Sequence, residues 1–357
     1  MLHTYIVFFY WPYMKHVTYM GKPIHKKGGI NMSNIREIAE RAGISIATVS
    51  RYLNDTGYVS DEAKAKIQEA IDEVGYTPNA LARAIFTKNS KTIALMIPEI
   101  TNPFFSQMAT AVEEYSNKMG YTLFLCNTED NKEKEAEYIE VLKSYRVAGI
   151  IASRTQCKEK YQNIQIPVVS FENHISPSVI TVSSDNYNGG KIAFDHLYEN
   201  GCRRILHIKG PRIFEATEMR CKGFSDAAKG KGLQIDIVEF ETDFKVKMIE
   251  KNLNTIKGLE NYDGIFVFND IAAATVMKRL IENDIDIPGQ IQIMGFDDSF
   301  IGELLHPSLT TIRQPIEEIG SLAVELLIRQ IEGEKVPIED RSIETKLIQR
   351  ETTLKKI

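Results

Sequence analysis

The chain has 357 residues, 43% of them hydrophobic and 25% charged, and a formal net charge of −5. At roughly 150 residues per domain this predicts two or three globular domains, and the composition excludes a disordered, collagen-like or disulfide-stapled protein. The longest apolar stretch, Tyr5 to Trp11, has seven residues, where a transmembrane helix needs about 20, so the chain reads as soluble and cytoplasmic with no membrane partner.

Residues 1–31 carry Lys15, Lys22, Lys26 and Lys27 and no acid, which leaves −9 on the rest of the chain. A polyanion partner must then be held by local charge rather than by the whole surface. The segment is crowded with aromatics, holds the single tryptophan Trp11 and shows neither helical nor alternating period. With no basic residue before the apolar run and no small-x-small site after it, it does not fit a signal peptide. Lys26-Lys27-Gly28-Gly29-Ile30-Asn31-Met32 back-translates to a purine-rich ribosome-binding sequence about seven nucleotides before a start codon, so translation is expected to begin at Met32 and residues 1–31 to be a non-native extension.

From Met32 the elements are short helices. Ile35, Ile38, Ala39 and Ala42 fall at i, i+3, i+4 and i+7, which predicts an amphipathic helix over 35–42. Gly43 supplies a turn residue, Ser45 a cap, and a second helix runs from Ile46 to Leu53. A third has Ser60 as cap, Asp61 and Glu62 in its first turn, apolar Ala63, Ile67, Ala70, Ile71 and Val74, and Gly75 as its stop. Helix, glycine turn, helix fits a helix-turn-helix, and by spacing alone it fits a generic three-helix bundle equally well. Charge does not separate the two. Met32 to Lys91 holds eight basic and eight acidic residues, and only Arg83, Lys88 and Lys91 at its end are polarised toward phosphate.

From Thr92 the period changes. Short apolar runs of strand length at Thr92 to Ile97, Thr122 to Cys126, Gly149 to Ala152, Val168 to Phe171, Ile205 to Ile208, Gly264 to Phe268 and Ile291 to Gly295 alternate with helical spacing. Such alternation predicts buried parallel sheets. Two runs of it, before and after about Ser183, predict two doubly wound lobes with a cleft between them. Ligands of open parallel sheets sit beyond the carboxyl ends of the strands, and there stand Asn102, Phe104 and Phe105, then Glu172 and Asn173, Asn269 and Asp270, and Asp297. Amides, carboxylates and flat rings suit a sugar, whose hydroxyls need hydrogen bonds while its C–H face stacks on rings. Each also has a structural reading: the phenylalanines as core, Asp297 and Asp298 as turn caps, Arg220 as a surface ion pair.

The run Ile35-x-x-Ile-Ala-x-x-Ala-Gly-Ile-Ser-x-Ala-Thr-Val-Ser-Arg-Tyr-Leu-Asn, with Val59-Ser60 and Gly75-Tyr76-Thr77-Pro78-Asn79-Ala80-Leu81-Ala82-Arg83, resembles the LacI family of bacterial transcriptional repressors, and weaker motifs extend the likeness to about Arg350. The resemblance implies an all-α helix-turn-helix headpiece (residues 32–77), a hinge helix and linker (78–91) and a two-lobed α/β periplasmic-binding-protein-like core (92–357). The N-lobe would take about 92–183 and 315–345, and the C-lobe about 184–314 and 346–357. It also implies that the second helix enters the major groove, with Ser45, Ile46 and Ala47 at its start and Arg51 on a guanine edge, while Thr48, Ser50 and Asn54 meet phosphates. Asn79, Leu81, Ala82, Arg83 and Ile85 would act in the hinge helix, Ile85 standing where the family usually has a leucine wedge for the minor groove.

For the core, the family and the similar periplasmic sugar-binding proteins match Asn102-Pro103-Phe104-Phe105, Arg220-x-x-Gly-Phe224, Asn269-Asp270, Gly295-Phe296-Asp297 and Ile312-Arg313-Gln314. This implies effector contacts at Asn102, Phe104, Phe105, Arg220, Asn269, Asp297 and Gln314, with Phe244 a weaker stacking candidate. Where sugar-binding members usually carry Asp-Arg, this chain has Glu172-Asn173, which removes a bidentate guanidinium. Val182 to Asn186 and Thr310 to Pro315 are most similar to the sucrose- and ribose-operon branches.

The function expected is a sequence-specific, DNA-binding repressor of a carbohydrate-utilisation operon, a homodimer controlled by a small sugar or sugar phosphate between the lobes. A catabolite-control regulator worked by a phosphorylated carrier protein is the alternative. An importer's solute receptor predicts an export signal and no reading head, the reverse of what is seen. No enzyme is expected: GxSxG and HExxH are absent, and Ile192 stands where a phosphate loop after Gly189-Gly190-Lys191 needs Ser or Thr. Nor is a cofactor or metal, since Cys126, Cys157, Cys202 and Cys221 lie 31, 45 and 19 positions apart, far from zinc or redox spacing.

Overall fold

In the structure, a computed structural model, residues 32–54, 57–76, 90–240 and 245–354 are described. The expectations for residues 1–31, for the hinge residues Asn79, Leu81, Ala82, Arg83 and Ile85, and for Phe244 therefore lie outside the described residues. The chain divides into two compact units, the second starting at Thr92.

The first unit contains α1 (Met32–Ala42), α2 (Ile46–Asn54) and α3 (Asp61–Val74). α1 starts three residues before Ile35, where the apolar spacing begins. Gly43, at φ 64°, turns the chain between α1 and α2 in the left-handed region, which a side chain would disfavour. Ile38, Ala39, Val49, Val59, Ile67, Ala70 and Ile71 close a small core, and Tyr52 ties α2 to α3 by donating to Gln68 Oε1 at 2.9 Å.

The second unit has two six-stranded sheets. In chain order its elements are β1 (Thr92–Ile97), α4 (Pro103–Lys118), β2 (Thr122–Asn127), α5 (Lys132–Ser144), β3 (Gly149–Ala152), α6 (Lys158–Gln162), β4 (Val168–Phe171), β5 (Ile180–Ser184), α7 (Asn186–Glu199), β6 (Ile205–Lys209), α8 (Glu215–Gly230), β7 (Asp236–Glu239), α9 (Val246–Leu253), β8 (Gly264–Val267), α10 (Asp270–Ile281), β9 (Gln292–Asp297), α11 (Phe300–Leu304), β10 (Thr310–Arg313), α12 (Ile316–Ile331), β11 (Arg341–Ile343) and β12 (Lys346–Ile348). One sheet runs β11-β5-β4-β3-β1-β2 and the other β12-β10-β9-β8-β6-β7. All pairings are parallel except β10 with β12. That exception follows from the connectivity: after β10 the chain leaves for α12, which packs on the first sheet, and after β11 it returns, so β12 enters the second sheet opposite to β10.

Three segments therefore join the lobes, between β5 and α7, β10 and α12, and β11 and β12. The N-lobe core packs Ile93, Leu95 and Ile97 of β1 against Phe105, Met108 and Val112 of α4 and Ile319, Val324 and Leu327 of α12. The C-lobe sheet is buried on both faces, by Val276, Leu280 and Ile249 on one side and Phe194 and Phe224 on the other. Gly190 and Gly223 face the backbone of the opposite helix where α7 and α8 cross. A Cβ on Gly190 would overlap the Arg220 carbonyl oxygen, and one on Gly223 that of Tyr187. Gly190, the glycine before Lys191, is thus with Gly223 a helix-packing device that brings Arg220 beside Asn186, while Gly189 faces the Phe296 ring.

Candidate functional site

On the headpiece, Ser45 Oγ caps α2, accepting from the Thr48 amide at 3.2 Å, and lies 2.9 Å from Thr48 Oγ1. Val49 faces inward, fully buried, while Ile46, Ala47 and Arg51 are exposed and Thr48 and Ser50 half-buried. Ile46, Ala47, Ser50 and Arg51 line one flank of α2, because positions 46, 47, 50 and 51 share a helical face, and Thr48 stands beside it. Asn54 is the last residue of α2.

In the second unit a small interlobe cavity is lined by Asn102, Phe104, Phe105, Ser153, Arg154, Glu172, Asn173, Phe214, Ala216, Thr217, Arg220, Asn269, Asp297 and Gln314. Nine of these, coming from distant parts of the sequence, are residues singled out from it. Phe104 and Phe105 also belong to the N-lobe core and meet edge to face, ring centroids 5.1 Å apart. Asn102 and Asn269 cap α4 and α10 through their side-chain carbonyls, accepting from Phe104 N at 3.0 Å and Ala272 N at 2.8 Å. Each keeps its amide nitrogen for another partner.

Arg220 of α8 is the centre of a buried network. Its Nε donates to Asn186 Oδ1 and one terminal nitrogen to the Phe268 carbonyl, both at 2.8 Å, and the same nitrogen stands 3.8 Å from Asp297 Oδ1. The guanidinium lies 3.6 Å above the Phe296 ring. Glu172 accepts from the Ser184 amide at 2.6 Å and from Asn186 Nδ2 at 2.8 Å. Gln314 closes the circuit, donating to Asp297 Oδ1 at 2.6 Å and accepting from Ser184 Oγ at 2.7 Å. Ser184, Asn186 and Gln314 stand at two of the three connections between the lobes and Glu172 bonds the first of them, so the circuit spans the hinge. Glu172 at φ 61° and Asp297 at φ 121° occupy the left-handed half of backbone space, a strain of about 1–3 kcal/mol each of the kind that functional sites store.

Burial drives the Asp297 carboxyl well above the usual carboxylate range, and the Arg220 charge opposes it. Below it Asp270, fully buried, accepts from Thr311 Oγ1 at 2.6 Å and Ser299 N at 2.7 Å, and burial pushes it up to about 7. Burial likewise lowers Arg220, whose charge the carboxylates of Asp297, Glu172 and Asp270 support. Asp298 is not in the cavity; it faces away, bound by Arg350 at 2.6 Å and Arg313 at 2.5 Å.

Sequence reading missed Ser153, Arg154, Phe214, Ser184 and Asn186. The first two follow the apolar run Gly149–Ala152 and so obey the strand-end rule that found the others. Arg154 supplies a guanidinium in a site whose second strand-end pair, Glu172-Asn173, lacks one. It pairs with Asp130 (Nε to Oδ1, 3.2 Å) and lies 3.7 Å over the Phe214 ring. Among the described residues, no group of three His, Cys, Asp or Glu side chains is arranged to hold a metal, and no helix is long and apolar enough to cross a membrane.

Residues 34–79 match the model of bacterial regulatory proteins of the lacI family, and residues 194–353 that of the periplasmic binding protein-like domain. The ribose operon repressor of Halalkalibacterium halodurans is 39% identical over 326 residues, which is 90% of this chain and 97% of that protein. The chain belongs to the LacI family of bacterial regulatory proteins. Among other LacI-type relatives, the sucrose operon repressor of Streptococcus mutans is 34% identical over 86% of this chain and 95% of its own length. A crystal structure of a periplasmic binding protein/LacI transcriptional regulator from Alkaliphilus metalliredigens, complexed with D-xylulofuranose, is 65% identical with a TM-score of 0.72, covering 74% of this chain and all of that one.

Proposed function

We propose that this protein is a cytoplasmic, homodimeric and non-enzymatic repressor of a pentose-utilisation operon, whose inducer is an uncharged five-carbon ketose in furanose form, bound between the lobes of the second unit. Residues 32–77 read the operator, with Arg51 on a guanine edge and Ile46 and Ala47 excluding or contacting thymine methyls. Residues 78–91 join this headpiece to the effector-binding and dimerising part, 92–357. Asn102, Asn269, Asn173 and Arg220 offer donors to sugar hydroxyls, Asp297, Glu172 and Gln314 offer acceptors, and Phe104 and Phe105 face its C–H surface. Because the hinge circuit runs through these side chains, a sugar that bonds them changes the energy of lobe closure, and the repressor releases its operator when the sugar to be consumed is present.

The observation that carries the reading is the balanced charge of a small cavity. Its volume is about 60 Å³, room for about four to six waters, on the scale of one small monosaccharide. Each guanidinium already faces acidic groups, Arg154 with Asp130 and Arg220 with Glu172 as well as Asp297, and Glu99, Glu129 and Asp130 stand at an adjoining cavity beside Lys245. A phosphate dianion would enter a site without surplus positive charge. The 65% identical regulator holding D-xylulofuranose supports the same ligand class. Calorimetry with D-xylulose, D-xylulose 5-phosphate and a phosphorylated carrier protein tests it. Binding of the free ketose alone is expected, and heat from the phosphate ester or the carrier protein with none from the ketose would refute it.

A further inference from the structure

β3 delivers two polar residues to the cavity that have no counterpart in the strand-end pairs read from the sequence. Ser153 is 1% exposed, lines the cavity, and its hydroxyl has no hydrogen-bond partner within the protein. A buried hydroxyl left in that state is destabilising unless something else bonds it. Beside it, the side chain of Arg154 is 6% exposed, braced in the N-lobe by Asp130 and stacked on Phe214, which stands at the start of α8 in the C-lobe. Phe214 is itself 7% exposed and held by its backbone amide to the Pro211 carbonyl at 3.1 Å. A planar guanidinium over a ring is a geometry that lysine cannot reproduce. Here it joins two lobes, which also meet through the hinge and through the amide of His174, which donates to Glu215 at 3.4 Å.

We propose that Ser153 and Arg154 are specificity-determining residues for the sugar: the Ser153 hydroxyl bonds a ring hydroxyl, and Arg154, stacked on Phe214, clamps the lobes over it. The inference rests on the sugar-effector reading above and adds the residues that choose among sugars. An epimer that turns its hydroxyl away from Ser153 leaves that oxygen buried and unbonded, so the site discriminates by the penalty of an unmade bond as well as by the bond itself. The clamp forms only in the closed arrangement, since its two halves belong to different lobes; it therefore favours ligands small enough to lie beneath it.

The test uses the full-length protein, D-xylulose and its C3 epimer D-ribulose as probes, and three variants. Ser153→Ala is expected to leave the ligand-free urea midpoint unchanged or raised while weakening D-xylulose at least fivefold and narrowing its preference over D-ribulose. Arg154→Met and Phe214→Leu are each expected to weaken D-xylulose tenfold or more. Their double variant should lose little beyond either single change, because the two act as one contact. Ser153→Ala binding within twofold of wild type, or additive losses in the pair, would overturn the proposal. Should the wild-type protein bind no D-xylulose, the effector reading falls on its own; the clamp is then decided by the ligand-free urea midpoints, where non-additive shifts support it and additive ones refute it.

Discussion

Replacing Arg220 with methionine removes the guanidinium and its stacking on Phe296 and keeps most of the apolar stem. Two hydrogen bonds from a charged donor are lost, to Asn186 and to the Phe268 carbonyl, each worth about 1.5–3 kcal/mol in such settings. The larger effect is on Asp297, whose fully buried carboxyl then has no cation opposite it. Breaking a buried pair from one side costs up to about 3–5 kcal/mol where the charge stays; Asp297, already pushed up by burial, takes up a proton more readily once Arg220 is gone, so the loss in urea unfolding should grow with pH. Asp297→Asn added to Arg220→Met replaces a carboxyl that has lost its cation with a neutral amide that keeps an oxygen for Gln314 Nε2, so at high pH, where the carboxyl would ionise, the double variant should recover at least about 1 kcal/mol. D-xylulose binding should be lost in both variants while operator binding persists, giving a repressor that no longer responds. If Arg220→Met cost under about 1 kcal/mol, or if Asp297→Asn deepened its loss, the central role given to this ion pair would be wrong.

Arg51→Ala should weaken operator binding by about 1–3 kcal/mol and flatten the preference at one base pair in a competition gel shift, with sugar binding unchanged. Gly190→Ala forces a methyl group against the Arg220 carbonyl and should cost about 1–3 kcal/mol or more, whereas Gly230→Ala, with nothing within 4 Å of the new carbon, should be neutral or stabilising; equal effects in thermal unfolding would refute the packing account. His207 is fully buried between Phe266 and Phe224, and burial pushes its imidazole down to about 4. Folding therefore holds it neutral while the unfolded chain takes up a proton near its ordinary value of about 6.5. Stability is full above pH 6.5 and about 3 kcal/mol is lost between there and pH 4; a His207→Phe variant whose acid loss was as steep would contradict this.

The lobes were legible because their central strands are buried on both faces and read as continuous apolar runs; β1, β3, β4, β6, β8 and β9 all lie where such runs stand. β7 (Asp-Ile-Val-Glu), β11 and β12 were not, because edge strands of three or four residues with exposed side chains carry no such signature; nor were the interior strands β5 and β10, whose threonines and serines break the apolar run although they are largely buried. The cavity followed the same logic. Asn102, Asn269 and Asp297 were found because strand ends in a doubly wound sheet face the ligand. Ser153-Arg154 obey that rule too and were passed over, as no motif marks them. Phe214 and Asn186 could not be found this way: the first is in a loop after β6 and the second begins α7, and only the crossing of glycine-bearing helices brings Asn186 to Arg220. Glu172-Asn173 was read as the loss of a guanidinium, while three-dimensional packing supplies one from β3.

The most direct measurement is fluorescence anisotropy of the full-length protein on DNA from upstream of its own gene, with and without saturating D-xylulose. A coupling of about 1–3 kcal/mol predicts that the sugar weakens operator binding by roughly 5- to 150-fold, and that operator weakens sugar binding by the same factor. Saturable sugar binding that left the DNA isotherm unmoved would contradict the account.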